Sequence, residues 1–150
     1  MDYREDANVR NNYFQARGII TKGDKVLVMF RRKNGREYYT FPGGHMRKDE
    51  QPIDTAIREI REETTVEVKD LRPAYDFINY TDPEQREYYF IGKWASEEPT
   101  LSGEESRRCN EKNYYEPMWI DISIIPKLNL YPKATKEWFI NYSNQVIDNC

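Results

Sequence analysis

Cysteine is scarce in this sequence. Two residues, Cys109 and Cys150, occur in a chain of 150. Their spacing matches no zinc-binding motif, and two cysteines cannot build the disulfide framework that stabilises small secreted domains. We therefore expect both side chains to be reduced thiols and the fold to rest on an ordinary hydrophobic core.

Long apolar runs are also missing. No stretch approaches the roughly 18 consecutive apolar residues that indicate a membrane-spanning helix. The N-terminal stretch MDYREDANVRNN is polar and lacks the apolar segment of a signal peptide. These features predict a cytosolic protein with no membrane partner.

Positive charge is not in excess. The 23 Lys and Arg residues are outnumbered by 26 Asp and Glu residues, which gives a net charge of −3. Proteins that bind duplex nucleic acid usually carry a strongly basic surface, so we expect no duplex partner. The expected ligand is a small molecule. The sequence leaves the oligomeric state open, a homodimer included.

The remaining composition is that of a globular domain. Charged residues make up 33% of the chain, hydrophobic residues 38% and aromatic residues 14%, which argues against disorder. The sequence shows no internal repeat and no linker rich in Pro, Gly or Ser. We predict a single domain over residues 1–150.

The hydrophobic pattern predicts six strands and two helices. The turn signal TKGD between the first two strands predicts a hairpin. An apolar stripe at i, i+3, i+4 and i+7 starts a helix near Ile53, and a second helix covers residues 133–146. This order indicates an α/β fold with a mixed sheet between helices. The predicted strands are 13–20, 25–31, 37–41, 67–80, 86–95 and 115–122.

Three glutamates lie on one sector of the first predicted helix, beside its apolar stripe: Glu59, Glu62 and Glu63. Like charges at these spacings repel each other. One interpretation is a solvated acidic face, partly neutralised by Arg58 at the i, i+4 spacing from Glu62. The other is a site for a hard cation, because carboxylate oxygens bind Mg²⁺ or Mn²⁺ and the cation would relieve the repulsion. The helix alone does not decide between them.

The spacing around the glutamates favours the metal site. Five residues separate Gly44 from Glu50 and seven more precede Arg58, which is followed by EIREETTV. This stretch, residues 44–66, resembles the Nudix box of the Nudix hydrolase superfamily and matches eight of its nine specified positions. The departure is Thr65, where the family has glycine. The β-rich segment ending in FPGG before the box also looks like the family.

The resemblance implies an α/β/α sandwich that hydrolyses a nucleoside diphosphate linked to another moiety. It also implies a divalent metal, Mg²⁺ or alternatively Mn²⁺, which binds phosphate oxygens and activates water. The metal ligands that the family pattern places on this sequence are Glu59, Glu62, Glu63 and the backbone carbonyl of Gly43.

The glycine pair 43–44 and two further box residues are expected to support the chemistry. Gly43 and Gly44 would let the backbone approach metal and phosphates without an intervening Cβ. Arg58 is expected to hold a carboxylate of the helix by charge-assisted hydrogen bonds, and Glu50 is expected to brace the loop.

The departure at Thr65 carries a structural expectation. The family glycine occupies a position where a left-handed backbone commonly ends a helix. A left-handed conformation costs a β-branched residue roughly 1–2 kcal/mol. We therefore predict that Thr65 does not adopt it and that the helix ends by another route, without effect on the glutamates.

Several residues outside the specified positions are further candidates. His45, the only histidine, is expected to be an exposed, non-catalytic loop residue. Glu104 and Glu105 lie in a long polar loop and could supply another metal ligand or a general base, against the alternative of a solvated loop. Arg107 and Arg108 are weaker candidates for phosphate contacts. Strand aromatics are expected to be core residues first, with base stacking as the alternative: Tyr88, Tyr89, Phe90, Trp94, Tyr114, Tyr115 and Trp119.

The substrate is not determined by these patterns. The chain resembles small MutT-like members that act on nucleoside triphosphates, whereas others use nucleotide sugars, ADP-ribose or dinucleoside polyphosphates. Tyr80 and Pro83 lie near, but not on, the spacings of the last two branches. A nucleotide-sensing module without catalysis is a second hypothesis, although it would not need all three glutamates. RNA end-processing is a third, and it would require a basic path that the sequence does not reveal.

Overall fold

The computed structural model describes residues 10–79, 85–100 and 113–148. Among these residues, no helix is both long enough and apolar enough to cross a membrane. The described strands are β1 (Arg10–Lys22), β2 (Lys25–Lys33), β3 (Arg36–Thr40), β4 (Gly43–Arg47), β5 (Glu67–Asn79), β6 (Gln85–Ser96) and β7 (Asn113–Asp121). The described helices are α1 (Pro52–Thr64), a 3₁₀ helix (Ile122–Lys127) and α2 (Lys133–Asp148).

The seven strands form one mixed sheet in the order β3-β2-β1-β6-β5, with β4 paired to β1 and β7 paired to β2. The predicted β1–β2 hairpin is confirmed, but it is paired only at Thr21 with Val26 and at Lys22 with Lys25. Beyond these pairs β1 continues against β4 and, in parallel, against β6. β2 continues against β3 and β7. The two arms of the hairpin therefore diverge, and each arm belongs to a different half of the sheet.

Helices cover both faces of the sheet, as predicted. Because side chains alternate along a strand, Ala16 and Ile20 of β1 pack on the α1 side, in clusters with Ala56 and Ile60. Ile19 points to the other face and joins the core beneath α2. That second core is the larger one, and its buried members include Val26, Val28, Phe41, Tyr89, Ile125 and Phe139.

The aromatic residues of β6 divide between the two cores. Tyr89 packs on the α2 side and Phe90 on the α1 side, and both are buried, which confirms the core prediction for these two. Tyr88 and Trp94 are only partly buried. In β7, Tyr115 is buried, and Tyr114 and Trp119 are partly buried.

Two elements were not predicted from the sequence, strand β4 and the 3₁₀ helix. Strand β4 has the sequence GGHMR, which shows no β-rich alternation. It is a strand because β1 supplies its hydrogen-bonding partner, with Gly43 opposite Arg17 and His45 opposite Gln15. The prediction that His45 lies exposed in a loop is therefore wrong, since His45 is a partly buried strand residue.

The prediction for Thr65 is also wrong. Thr65 has φ 65° and ψ −5°, in the left-handed region, and its N–H donates to the Arg61 carbonyl at 3.0 Å to end α1. Its Oγ1 donates to the Glu98 carbonyl at 2.9 Å, and the N–H of Thr100 donates to the Thr64 carbonyl at 2.8 Å. These bonds to the segment after β6 offset the backbone strain. Their partners are distant in sequence, so local patterns do not reveal them.

Candidate active site

The loop before α1 is organised around the carboxylate of Glu50. Its Oε2 accepts a hydrogen bond of 2.6 Å from Nε of Arg58. Its Oε1 accepts from the hydroxyl of Thr55 at 2.6 Å and from the backbone N–H of Arg47 at 3.1 Å. Partial burial opposes ionisation, but these donors prevail and lower the pKa of Glu50 to about 2. Glu50 is thus a fixed anion that braces the loop.

Arg58 connects this loop to the glutamates of α1. Its guanidinium donates to Glu50, to Glu59 at 2.9 Å and to Glu62 at 3.1 Å. Nη2 also donates to the carbonyl of His45 at 3.1 Å, which ties β4 to the helix. Burial alone would lower the pKa of Arg58, but its carboxylate partners raise it. Arg58 is therefore a permanent cation at the centre of an acidic patch.

The three glutamates of α1 differ in environment. The Glu59 side chain is 14% exposed, whereas that of Glu62 is 45% exposed and also lies 3.7 Å from Arg47. Glu63 is partly buried. Within the described ranges, no group of three or more His, Cys, Asp or Glu side chains is arranged to hold a metal ion. In this conformation, Arg58 and Arg47 occupy carboxylate oxygens that a cation would need.

The glycine pair makes room for this arrangement. A Cβ on Gly44 would lie 2.7 Å from Cδ and 2.8 Å from Oε2 of Glu59. The carboxylate of Glu59 therefore fills the space that the Cβ of any other residue at position 44 would occupy. Gly43 has φ 156°, and a Cβ there would collide with the backbone of Ala16 and Arg17. The backbone at Gly44 thus approaches a carboxylate directly. Carboxylate and carbonyl oxygens are the donors that Mg²⁺ and Mn²⁺ prefer, so the donor set fits such a metal.

Arg17 of β1 lies opposite Gly43 of β4, and it was not identified from the sequence. Its Nε donates to the buried Glu87 at 2.9 Å, and Nη1 donates to the Phe41 carbonyl at 2.9 Å. Burial alone would lower the pKa of Arg17, but Glu87, Tyr89 and Glu63 raise it. Since Glu63 is one of the groups that raise this pKa, Arg17 lies within electrostatic range of the acidic patch of α1.

A cleft of about 590 Å³ opens beside Arg17, between the diverging arms of the β1–β2 hairpin. One wall carries Arg17 and Glu87, and the other carries residues of β2 and β3. Among the residues that the structure describes, the cleft is lined by four cationic side chains, Arg17, Arg31, Lys33 and Arg36, and by one carboxylate, Glu87. The sequence alone reveals no basic path, because these four residues come from three strands and only the fold brings them together.

The NUDIX domain family matches residues 13–139 of the chain, a range that contains the box and helix α1. The chain belongs to the Nudix hydrolase family. An RNA pyrophosphohydrolase from Thioalkalivibrio sulfidiphilus is 30% identical to this Nudix protein over 69 residues. The shared stretch is 44% of this chain and 40% of that protein, so it spans less than half of the relative.

Solved structures show the same fold. A NUDIX hydrolase from Nitrosomonas europaea superposes with a TM-score of 0.70 at 16% identity, covering 90% of each chain. A MutT protein from Bacillus halodurans superposes with a TM-score of 0.64 at 20% identity, covering 84% of this chain and 78% of the other. The mixed sheet between helices is therefore the Nudix fold.

The structure brings several residues of the Nudix box together and leaves other candidates aside. A contiguous group is formed, through the contacts above, by Glu50, Arg58, Glu59, Glu62 and Gly44.

A signal for the cleft was present in the sequence as polar Gln15 and Arg17 within an otherwise β-rich segment, and as the basic run RRKNGR. The candidates that fall outside the described residues are Tyr80, Pro83, Glu104, Glu105, Arg107, Arg108, Cys109 and Cys150.

Proposed function

We propose that this Nudix protein hydrolyses a pyrophosphate bond in a nucleoside diphosphate linked to another moiety, with nucleoside triphosphates as the first substrates to test. The observation that carries the proposal is the group formed by the α1 glutamates, Arg58 and the Gly43–Gly44 backbone. A cationic cleft opens beside Arg17, the strand partner of Gly43. The relative named RNA pyrophosphohydrolase supports hydrolysis of this type of bond.

In this proposal Glu59, Glu62, Glu63 and the carbonyl of Gly43 hold a divalent cation, Mg²⁺ or alternatively Mn²⁺. When bound, such a cation neutralises phosphate oxygens, lowers the pKa of the attacking water and stabilises the leaving phosphate. The donor set fits, because Glu59 lies against the Gly44 backbone, where there is no Cβ, and Glu62 and Glu63 lie on the next turn of the same helix.

The arginines of the site have distinct roles. Arg58 holds Glu59 and Glu62 on one side of the helix, and Glu50 fixes Arg58 through two hydrogen bonds of 2.6 and 2.9 Å. Both residues act through the glutamates and are positioning residues. Arg17 faces the cleft, where a guanidinium can contact phosphate oxygens of the substrate. Hydrolysis adds water across the anhydride, so one P–O bond forms, one breaks, and two phosphate products leave.

A substrate panel tests the proposal. Purified protein is incubated with nucleoside di- and triphosphates, nucleotide sugars, ADP-ribose and dinucleoside polyphosphates, with Mg²⁺ or Mn²⁺, and the products are identified. We expect cleavage of a phosphoanhydride bond in at least one class, with no turnover in excess EDTA. Undiminished turnover in EDTA would contradict the metal-dependent mechanism, and binding without turnover would favour a nucleotide-sensing module.

A further inference from the structure

The cationic residues of the cleft extend well away from the glutamates of α1. Strand β3 runs from Arg36 to Thr40, and two residues separate Thr40 from Gly43. Because the next residue, Gly44, lies against Glu59 of α1, Thr40 marks the end of the cleft that is nearer to α1. Arg31 lies opposite Tyr38, and Lys33 lies opposite Arg36. At about 3.3 Å per strand residue, the Lys33–Arg36 pair lies about 13 Å along β3 from Thr40.

Among the described residues, no carboxylate neutralises the cations of the distal part of the cleft, Arg31, Lys33 and Arg36. Arg17 is paired with Glu87, and Arg32, which lies outside the cleft lining, is paired with Glu37. In contrast, within residues 10–79, 85–100 and 113–148 no ion pair involves Arg31, Lys33 or Arg36.

Among the described residues, the distal arginines Arg31 and Arg36 contact aromatic rings rather than carboxylates. The guanidinium of Arg31 lies 4.5 Å from the ring centroid of Tyr115, and that of Arg36 lies 5.6 Å from the centroid of Tyr38 and 6.0 Å from that of Tyr131. Stacking orients a guanidinium and leaves its charge uncompensated. The Nε of Arg31 is buried, and no hydrogen-bond partner for it lies among the described residues. A buried donor without a partner indicates a missing acceptor.

We propose that the distal part of the cleft binds a second phosphate group, carried on the far side of the nucleoside from the bond that is cleaved. The inference rests on the proposed hydrolase function. A simple nucleoside triphosphate carries its negative charge at the 5′ end, near α1, and offers none to Lys33 and Arg36. A nucleotide with phosphate on its 3′ oxygen does, and this is the chemistry of a 5′-triphosphorylated RNA end or of a 3′-phosphorylated mononucleotide.

Exposed aromatic surface adjoins these cations. Tyr131 is 49% exposed, and its ring packs edge-on against Tyr38 at 6.5 Å. Grooves that bind single-stranded nucleic acid combine cations along the backbone with aromatic rings that stack on bases. A strand leaving the cleft past the β2–β3 turn would meet both. The excess of acidic residues over the whole chain does not oppose this, because the positive charge is concentrated in the cleft.

The test compares substrates that differ only at the 3′ oxygen. The nucleoside triphosphate that is hydrolysed fastest is compared with its 3′-phosphate and with 5′-triphosphorylated oligoribonucleotides of two and six nucleotides. We expect kcat/KM to be at least about tenfold higher with a 3′ phosphate, the effect of one charge-assisted contact. A plateau at the 3′-phosphate identifies a mononucleotide substrate. A further rise with length identifies an RNA end.

Charge-removing variants locate the effect. Lys33→Gln and Arg36→Gln should each lower the ratio of kcat/KM between 3′-phosphorylated and unphosphorylated substrates about tenfold. Arg32→Gln removes a cation from the same hairpin outside the cleft and should leave the ratio unchanged. Equal kcat/KM for all substrates, or equal effects of the three variants, would overturn the inference while leaving the hydrolase function intact.

A binding measurement separates this inference from the proposed function. If no substrate is hydrolysed, the affinities of nucleoside 5′-monophosphates and their 3′,5′-bisphosphates are compared in EDTA by calorimetry, with each of the four bases. A tenfold preference for the bisphosphate that is lost in Lys33→Gln supports the distal site. No preference with any base overturns it.

Discussion

Thr65 shows how a strained residue is retained by its contacts. Its left-handed backbone is unfavourable for a β-branched side chain, yet its hydroxyl donates to Glu98 and lies 3.2 Å from the hydroxyl of Thr100. Glycine would remove the strain and would also remove these hydrogen bonds. Threonine at this position therefore combines a strained backbone with hydrogen bonds that connect α1 to the segment after β6.

Substitutions at Thr65 separate the two contributions. Thr65→Ala keeps the strain and loses the hydroxyl, so we expect it to lower the free energy of unfolding by about 1–2 kcal/mol. Thr65→Gly loses the hydroxyl and the strain together, and it should be more stable than Thr65→Ala by about 1 kcal/mol. Urea denaturation measures both. An alanine variant as stable as the glycine variant would show that no strain is present.

Glu50 should make the free energy of unfolding depend on pH in the acidic range. Its pKa is about 2 in the folded protein against an ordinary value of 4.5. A lowered folded-state pKa stabilises the protein above the unfolded-state value, and this contribution is lost as the pH falls from about 4.5 towards about 2. Glu50→Gln should therefore be less stable than the wild type by about 1–3 kcal/mol at pH 7, and this difference should shrink across that window.

The control for Glu50 is a carboxylate on the surface. Glu137 is exposed on α2, and Glu137→Gln should follow the wild-type profile. Chemical denaturation from pH 7 to pH 2 provides the comparison. A constant difference between Glu50→Gln and the wild type at every pH would show that the ionised carboxylate is not the source of the stability.

Among the elements, α1 is positioned by its close approach to β1. A Cβ on Gly18 would collide with Cδ1 of Ile60, so the absence of a side chain at Gly18 lets the helix pack tightly on the strand. This packing fixes the distance between the α1 glutamates and the Gly43–Gly44 backbone, because β4 is paired to the same strand.

A double-mutant cycle tests this contact. Gly18→Ala should destabilise the protein by about 1–3 kcal/mol through overpacking. Ile60→Val removes the colliding Cδ1 and on its own should cost about 0.5–1.5 kcal/mol. The double variant should be more stable than the sum of the two predicts, as coupled neighbours are. Strict additivity would show that the helix does not rest on Gly18.

Prediction from sequence succeeded where an element is specified by its own residues. The stripe from Ile53 to Ile60 predicted α1, and the turn TKGD predicted the hairpin. β4 was missed because its pairing with β1, and not its composition, makes it a strand. The same reason applies to the site, since the Arg58 contacts follow from box spacing, whereas Arg17 and Glu87 are separated by 70 positions and meet only across paired strands.

On the scale of the whole molecule, charge is separated in space. The chain carries a net charge of −3, but the acidic patch of α1 and the cationic cleft lie on either side of β1, with Arg17 on the cleft side. Composition averages over both regions and so hides them. The separation suits a reaction in which anionic substrate binds one region and a divalent cation binds the other.

The central claim is that the carboxylates of α1 hold a divalent cation that is required for hydrolysis, and Glu62→Gln tests it most directly. Glu62 is half-exposed, so the change removes a charge without disturbing the core. With Mg²⁺ and the best substrate of the panel, kcat should fall on the order of 100-fold or more, and calorimetry should show weakened Mg²⁺ binding. Asp54→Asn, which removes an exposed charge from the first turn of the same helix, should retain wild-type kcat and Mg²⁺ affinity. Wild-type kcat and Mg²⁺ affinity in Glu62→Gln would contradict the account.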